Sequence, residues 1–286
     1  MTFAIAYQGE PGSNSHMACT EVRPDWEAVP CASFEDTFAK VASGEAQLAM
    51  IPIDNSIAGR VADIHAMLPE TSLQIIGEHF LRIRFSLLGI PGSSIEQARE
   101  VHSHIHALGQ CRKLIRQHGL KPVIAGDTAG SAREVSQWQD PTKVSLAPPM
   151  AAELYGLDVL ATDAEDDPTN TTRFILLADK SPIPTRAELP GPAVTSFVFR
   201  VRNVPAALYK ALGGFATNGI NMTRLESYME GNEFAATKFM VDVEGHPEDP
   251  AMVHAFEELE FFTTKIKILG VYPAAPFRLS HGGSNN

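Results

Sequence analysis

Four short segments set small hydroxyl, amide and imidazole side chains directly after apolar runs. They are Gly9-Glu10-Pro11-Gly12-Ser13-Asn14-Ser15, Asp54-Asn55-Ser56, Ser103-His104 and Gly126-Asp127-Thr128-Ala129-Gly130-Ser131. Each stands where a helix should begin, and free backbone N–H groups at a helix start favour a carboxylate or phosphate. The same residue types serve as helix caps worth about 1 kcal/mol each. Four such turns in one chain nevertheless point to a shared site for a small anion. A fifth segment, Thr169–Ala178 (TNTTRFILLA), puts three threonines, Asn170 and Arg173 at the mouth of an apolar strand. Threonine suits a strand and Arg173 can pair with Glu165 or Asp166, so residue types alone leave its role open.

Other chemistries find no support. The chain has no G-x-x-x-x-G-K-[ST], and Gly9 with Gly12 does not make the G-x-G-x-x-G of a dinucleotide turn, so ATP and NAD are not expected. His102, His104, His106 and Cys111 invite a metal reading, but alternate residues share a face only on a strand, and this stretch reads as a strand turning into a helix. No metal and no cofactor are expected, and His104 alone is placed to touch a substrate. Of 286 residues, 23 are Lys or Arg and 34 Asp or Glu, a formal net charge of −11 that repels nucleic acid. No apolar run reaches the roughly 20 residues of a membrane span, and the first residues lack a basic signal region, which predicts a cytoplasmic protein. Cys19, Cys31 and Cys111 are an odd number without close pairing, so no disulfide framework is expected.

Up to residue 180 the sequence repeats strand, polar turn and helix, an α/β pattern that predicts helices on a largely parallel sheet. Ser33 with Asp36 caps a helix carrying Phe34, Phe38 and Val41 on one face. The spacing of Ile57, Val61, Ile64 and Leu68 predicts another helix after Asn55. Residues 181–194 hold Pro182, Pro184, Pro190 and Pro192 and read as a linker. Residues 195–273 read β, α, β, β, α, β, the ferredoxin-like order, and 274–286 read as a disordered tail.

The segments AYQGEPGSNSHMA, IPIDNSIAGRVAD, SHIHALGQC, GDTAGSA and Thr172-Arg173-Phe174 resemble, in order and spacing, those of monofunctional prephenate dehydratases followed by an ACT domain. The resemblance implies a two-lobed catalytic region like a type II periplasmic binding protein, with lobe 1 at 1–77 and 174–180 and lobe 2 at 78–173. Prephenate would lie in the cleft and lose CO2 and water to give phenylpyruvate in phenylalanine biosynthesis, a carbon–oxygen lyase reaction needing no cofactor. It assigns Thr172 as the catalytic donor to the leaving hydroxyl. It assigns Gly12, Ser13, Asn55, Ser56, Ser103, His104, Thr128, Arg173 and Phe174 to substrate binding. The family commonly has Pro-Gln after the Ser-His pair, where this chain has Ile105-His106.

The same resemblance makes the C-terminal domain an amino-acid sensor, with L-phenylalanine as feedback inhibitor and homodimers or homotetramers formed through ACT domains. Its effector residues would be Asn203, Pro205, Ala206, Ala207, Leu208, Asn221, Met222, Glu226 and Ser227, with Leu208, Ile220 and Met222 facing the aromatic ring. Two family segments are altered here: Ala206-Ala207-Leu208 stands for Gly-Ala-Leu, and Glu226-Ser227-Tyr228-Met229 for Glu-Ser-Arg-Pro. Arogenate dehydratases use nearly the same residues, so arogenate or dual use is the alternative. A non-catalytic amino-acid sensor would share the anion-binding turns but has no need of Thr172-Arg173-Phe174.

Overall fold

The computed structural model describes residues 3–179, 181–229 and 236–281. The chain opens with β1 (Ala4–Gln8), α1 (Asn14–Val22), β2 (Glu27–Cys31), α2 (Phe34–Ala42) and β3 (Leu48–Asn55). β1 pairs in parallel with β2 on one side and β3 on the other, so Ile5, Ala6 and Tyr7 are wholly buried. The Ser33 hydroxyl caps α2 as expected: it accepts the Asp36 N–H at 3.0 Å and donates to the Asp36 carboxylate at 2.9 Å.

The segment after β3 departs from the expected helix. Asn55 Oδ1 accepts the N–H groups of Ile57 (3.0 Å) and Ala58 (2.7 Å), and this turn folds the chain into a hairpin with β4 (Gly59–Arg60). Helix resumes only at α3 (Ala62–Met67). A side chain that satisfies its own backbone competes with helix, and Gly59 at φ +81° completes the turn. Ile57 is therefore exposed, while Ile64 and Leu68 are buried.

Next come β5 (Gln74–Arg82), β6 (Ser86–Gly89), β7 (Glu100–Ser103), α4 (Ile105–Gln110), α5 (Arg112–Gln117), β8 (Lys121–Ile124), α6 (Thr128–Trp138), β9 (Lys143–Ala147), α7 (Pro149–Tyr155), β10 (Asp158–Ala161) and β11 (Thr171–Ala178). One sheet has the order β2-β1-β3-β11-β5, with β4 beside β3, and a second has the order β10-β6-β9-β7-β8. The second sheet is mixed rather than largely parallel, since β6 runs antiparallel to both β9 and β10. The expected lobe boundaries at 77 and 174 fall inside β5 and β11, which stay in the first sheet to Arg82 and from Thr171. Past those ends the Ile83 N–H donates to the Asn170 carbonyl at 2.8 Å.

The chain divides into two compact units, one holding residues up to Ile64 and His79–Phe174, the other His65–Glu78 and the chain from Ile175. His65–Glu78 and the end of β11, expected in the first domain, thus belong with the C-terminal unit. Within that unit Lys267 Nζ donates to the carbonyls of Pro69 and Thr71 at 2.8 Å each, and Lys238 pairs with Glu70 at 2.8 Å. Gly270 passes so near Ile75 that a Cβ would sit 2.1 Å from its carbonyl oxygen.

The rest of the C-terminal unit follows the expected order: β12 (Ala193–Val201), α8 (Ala207–Thr217), β13 (Met222–Met229), β14 (Ala236–Glu244), α9 (Pro250–Phe262) and β15 (Thr263–Pro273). The sheet, β13-β14-β12-β15, is antiparallel throughout, and the two helices cover Phe197, Phe199, Val241 and Val243. This is the ferredoxin-like βαββαβ arrangement. The expected disordered tail is corrected in part, because α10 (Pro276–His281) forms there and Arg278 holds Glu78 through two hydrogen bonds of 2.6 and 3.0 Å. Residues 282–286 of that tail lie outside the described residues. Cys19, Cys31 and Cys111 are free and buried, and no helix among the described residues is long and apolar enough to cross a membrane.

Candidate active site

A cavity of about 250 Å³ opens in the first unit, walled by Ala58, Ile83, Phe85 and Ala107 and by polar side chains from five places in the chain. Asn55, at the end of β3, is fixed first. With its Oδ1 committed to Ile57 and Ala58, its Nδ2 donates to Asn170 Oδ1 (2.8 Å) and Thr172 Oγ1 (2.9 Å), and lies 3.3 Å from the Thr171 carbonyl. That network settles which end of the amide is oxygen. Asn170 passes the relay on, its Nδ2 donating to Gln110 Oε1 at 2.8 Å. Thr172 is nine-tenths buried and uses its oxygen as an acceptor, which leaves its hydroxyl hydrogen for a ligand. Accepting one hydrogen bond strengthens a hydroxyl as a donor.

Helix starts supply the opposite wall. His104 precedes α4, its Nδ1 facing the His106 N–H at 3.4 Å, with the two imidazole rings 5.0 Å apart. Burial holds the His104 pKa below the ordinary histidine value; a charge on His106 acts in the same direction and Asp127 opposes it. Asp127 caps α6 by accepting the Gly130 N–H at 2.6 Å, which brings Thr128 to the first helical position. Asn14, the first residue of α1, completes the lining. Among the described residues, no Lys or Arg lines this cavity.

Of the residues expected at the substrate, Asn55, His104, Thr128 and Thr172 line the cavity. The others stand behind it. Ser103 is fully buried and donates to the Leu146 carbonyl at 2.6 Å, so its hydroxyl belongs to the sheet. Ser56 Oγ accepts the Thr171 N–H at 3.0 Å. Gly12 gives its N–H to His16 Nδ1 (3.0 Å) and Ser13 caps α1, so this turn satisfies itself. A Cβ on Gly12, at φ +87°, would lie 3.1 Å from the Ala151 backbone. Arg173 is buried and pairs with Asp54 at 3.7 Å rather than with Glu165 or Asp166. Those two acids hold the N–H groups of Phe85, Arg112 and Lys113. Phe174 is 1% exposed, a core residue. His102 packs edge-on to Trp138, 4.7 Å between rings, and does not reach the cavity. His104 was expected to touch the substrate alone, but His106 lines the cavity as well; Gln110 gave no signal, being a lone amide at the end of a short helix.

In the C-terminal unit a second cavity of about 530 Å³ is lined by Asn203, Ala206, Ala207, Leu208 and Ser227 of the expected effector set, with Tyr209, Leu225, Thr237 and Phe239. Pro205, Asn221, Met222 and Glu226 do not line it. Asn221 Nδ2 bonds Glu244 at 3.0 Å, and Ile220 and Met222 pack on the domain core instead of facing a ligand ring. Ala206 holds a left-handed conformation, φ 61°, at the start of α8.

The profile of the family described as prephenate dehydratase matches residues 5–182. A bifunctional N-acyl-homoserine lactone acylase/prephenate dehydratase of Komagataeibacter europaeus is 52% identical over 275 residues, covering 96% of this chain and 97% of that protein. Arogenate dehydratase/prephenate dehydratase 2, chloroplastic, of Arabidopsis thaliana is 36% identical over 278 residues, 94% of this chain and 72% of its own. The crystal structure of a prephenate dehydratase from Arthrobacter aurescens, in complex with L-Phe, superposes with a TM-score of 0.86 at 30% identity, covering 95% of this chain and 90% of that one.

Proposed function

We propose, from the premise that the chain belongs to the prephenate dehydratase family, whose members are lyases, that it converts prephenate to phenylpyruvate in the cavity beside Thr172. The dianion takes up one proton and releases CO2 and water. The electron pair of the breaking C–CO2 bond restores the aromatic ring as the C4 hydroxyl departs, so no electron sink is needed. What the protein supplies is position and a hydrogen bond to the departing oxygen. One observation carries this reading: Asn55 occupies the Thr172 oxygen as acceptor and so leaves its O–H free to donate. Gly12, Ser13, Ser56, Ser103, Arg173 and Phe174 act through the walls, Asn55 lines the cavity and aims Thr172, and His104 and Thr128 meet the substrate. The two sheets fit a two-lobed architecture like that of type II periplasmic binding proteins. Incubating the purified protein with prephenate and with arogenate, and following phenylpyruvate and phenylalanine, tests the activity; turnover of neither refutes it.

The βαββαβ domain acts in this reading as an ACT domain that binds phenylalanine in the cavity beside Ala206. Its support is the open cavity and a relative solved with L-Phe. Homodimers form through this domain, an arrangement supported by β13 at the sheet edge and by exposed Tyr209, Leu225 and Met229. Calorimetry with phenylalanine and sedimentation with and without it test both points; absence of heat, or a monomer throughout, refutes the respective one. A second reading, cleavage of N-acyl-homoserine lactones, is favoured by the acylase half of the name of the 52% identical relative. Release of homoserine lactone from such substrates, read by mass spectrometry, decides it.

A further inference from the structure

The polar groups of the candidate active site divide by whether the protein already uses them. Asn55 and Asn170 spend their amides on the relay to Thr172, and Asp127 holds the Gly130 N–H. Asn14 in α1, His106 in α4 and Thr128 in α6 make no hydrogen bond with their side-chain polar ends to the described protein. The orphan Asn14 Oδ1 is an acceptor and answers to a donor; only the Nδ2 end of that amide, which also has no partner among the described residues, can meet a carboxylate. Among the described residues no Lys or Arg lines the walls and Asp127 adds a carboxylate, so an anionic substrate finds its donors among these groups, the free Nε2 of His104 and the Thr172 hydroxyl. His106 is exposed and lines the cavity, and an imidazole offers at least one N–H.

We propose that His106, assisted by Asn14, is the binding group for the pyruvyl carboxylate of prephenate. The inference rests on the dehydratase reading. Prephenate has two carboxylates, and chemistry distinguishes which one donors should hold. The ring carboxylate loses its charge on leaving as CO2, so donors gripping it would stabilise the ground state more than the transition state and slow the reaction. The pyruvyl carboxylate keeps its charge through the reaction and into the product. Donors to it bind substrate, transition state and product alike, which changes KM and leaves kcat alone.

The test is steady-state kinetics with prephenate and product inhibition by phenylpyruvate, on the full chain and on His106→Ala, His106→Gln and Asn14→Ala. Melting curves confirm that each variant folds. His106→Ala should raise KM about tenfold or more, the loss expected for a charge-assisted hydrogen bond. The phenylpyruvate inhibition constant should rise by the same factor, kcat should stay within about twofold, and His106→Gln should recover most of the loss because it keeps a donor. Asn14→Ala should show the same pattern more weakly. Unchanged KM and unchanged phenylpyruvate inhibition in His106→Ala would overturn the assignment. So would a fall in kcat with KM intact, which would put His106 at the reacting end. If the unaltered protein turned over neither prephenate nor arogenate, the dehydratase reading would fail first and this assignment with it.

Discussion

Replacing Thr172 by Val removes one oxygen and keeps the shape of the side chain, so it isolates the hydroxyl. In the proposed reaction that hydroxyl is the donor to the leaving oxygen, and loss of one preorganised donor costs about 10²–10³ in kcat, or about 3–4 kcal/mol of transition-state stabilisation. On the structural side the loss is smaller. Asn55 Nδ2 would give up its 2.9 Å bond to Thr172 but keep Asn170 Oδ1 at 2.8 Å, with the Thr171 carbonyl at 3.3 Å as a second acceptor. Neither amide hydrogen is stranded, so destabilisation should stop at about 1 kcal/mol, a fall in Tm of roughly 2–4 °C. Thr172→Ser, which restores the oxygen, should recover part of the rate. Phenylpyruvate formation gives kcat and KM, and calorimetric melting gives stability. A Val variant that retains half the wild-type kcat would refute the role of Thr172. A fall in Tm several times larger than expected would refute the claim that Asn55 remains satisfied.

Ala206→Gly should stabilise the C-terminal unit by about 0.5–1 kcal/mol, because a left-handed alanine costs about 1–2 kcal/mol and the added glycine entropy returns only part of that; an unchanged or lower denaturation midpoint would count against it. Gly270→Ala should destabilise by about 3 kcal/mol or more, since its Cβ would meet the Ile75 backbone at 2.1 Å, and a midpoint shift under about 1 kcal/mol would show that β15 can move away. Burial holds the pKa values of His16, His102 and His104 below the ordinary value near 6.5, so the unfolded chain binds more protons than the folded one just below that pH. Their contribution to stability is whole above about pH 6.5 and lost as pH falls through the lowered values; Tm should fall from pH 7.5 to pH 5.5, and a flat Tm would contradict this sign.

The C-terminal domain was the most legible part of the chain, because its strands and helices each carry a clean apolar period and its turns fall between them. The helix expected after Asn55 failed for a local reason. Ile57 fits a helical period, but the Asn55 side chain accepts the N–H groups of Ile57 and Ala58, and periodicity does not register such a competing turn. The unit boundary was illegible for the opposite reason, since it depends on Lys238, Lys267 and Gly270 meeting residues about 170–200 positions earlier. At the candidate site, the turns after the strands were visible as turns. Which of their side chains face the cavity was not. Ser103 and Thr128 look alike in sequence, yet one hydroxyl ties two strands together and the other is left uncommitted.

The uncharged character of the relay has a chemical logic in the proposed decarboxylating dehydration. A lysine or arginine on the cavity wall would bind the prephenate dianion more tightly, but it would hold the ring carboxylate in the form that must be given up. Amides and a hydroxyl avoid that conflict. Gln110, Asn170 and Asn55 carry no charge to stabilise the ground state, and their hydrogen bonds are already made before substrate arrives, so aiming Thr172 requires no reorganisation at the moment of reaction. In the proposed reaction Ile83, Phe85 and Ala107, which line the cavity, would offer the departing CO2 an apolar surface. Arg173, the cation nearest to Thr172 in sequence, pairs with Asp54 at 3.7 Å and is not among the residues lining the cavity, so the proposed reaction does not call on its charge to anchor the group that leaves.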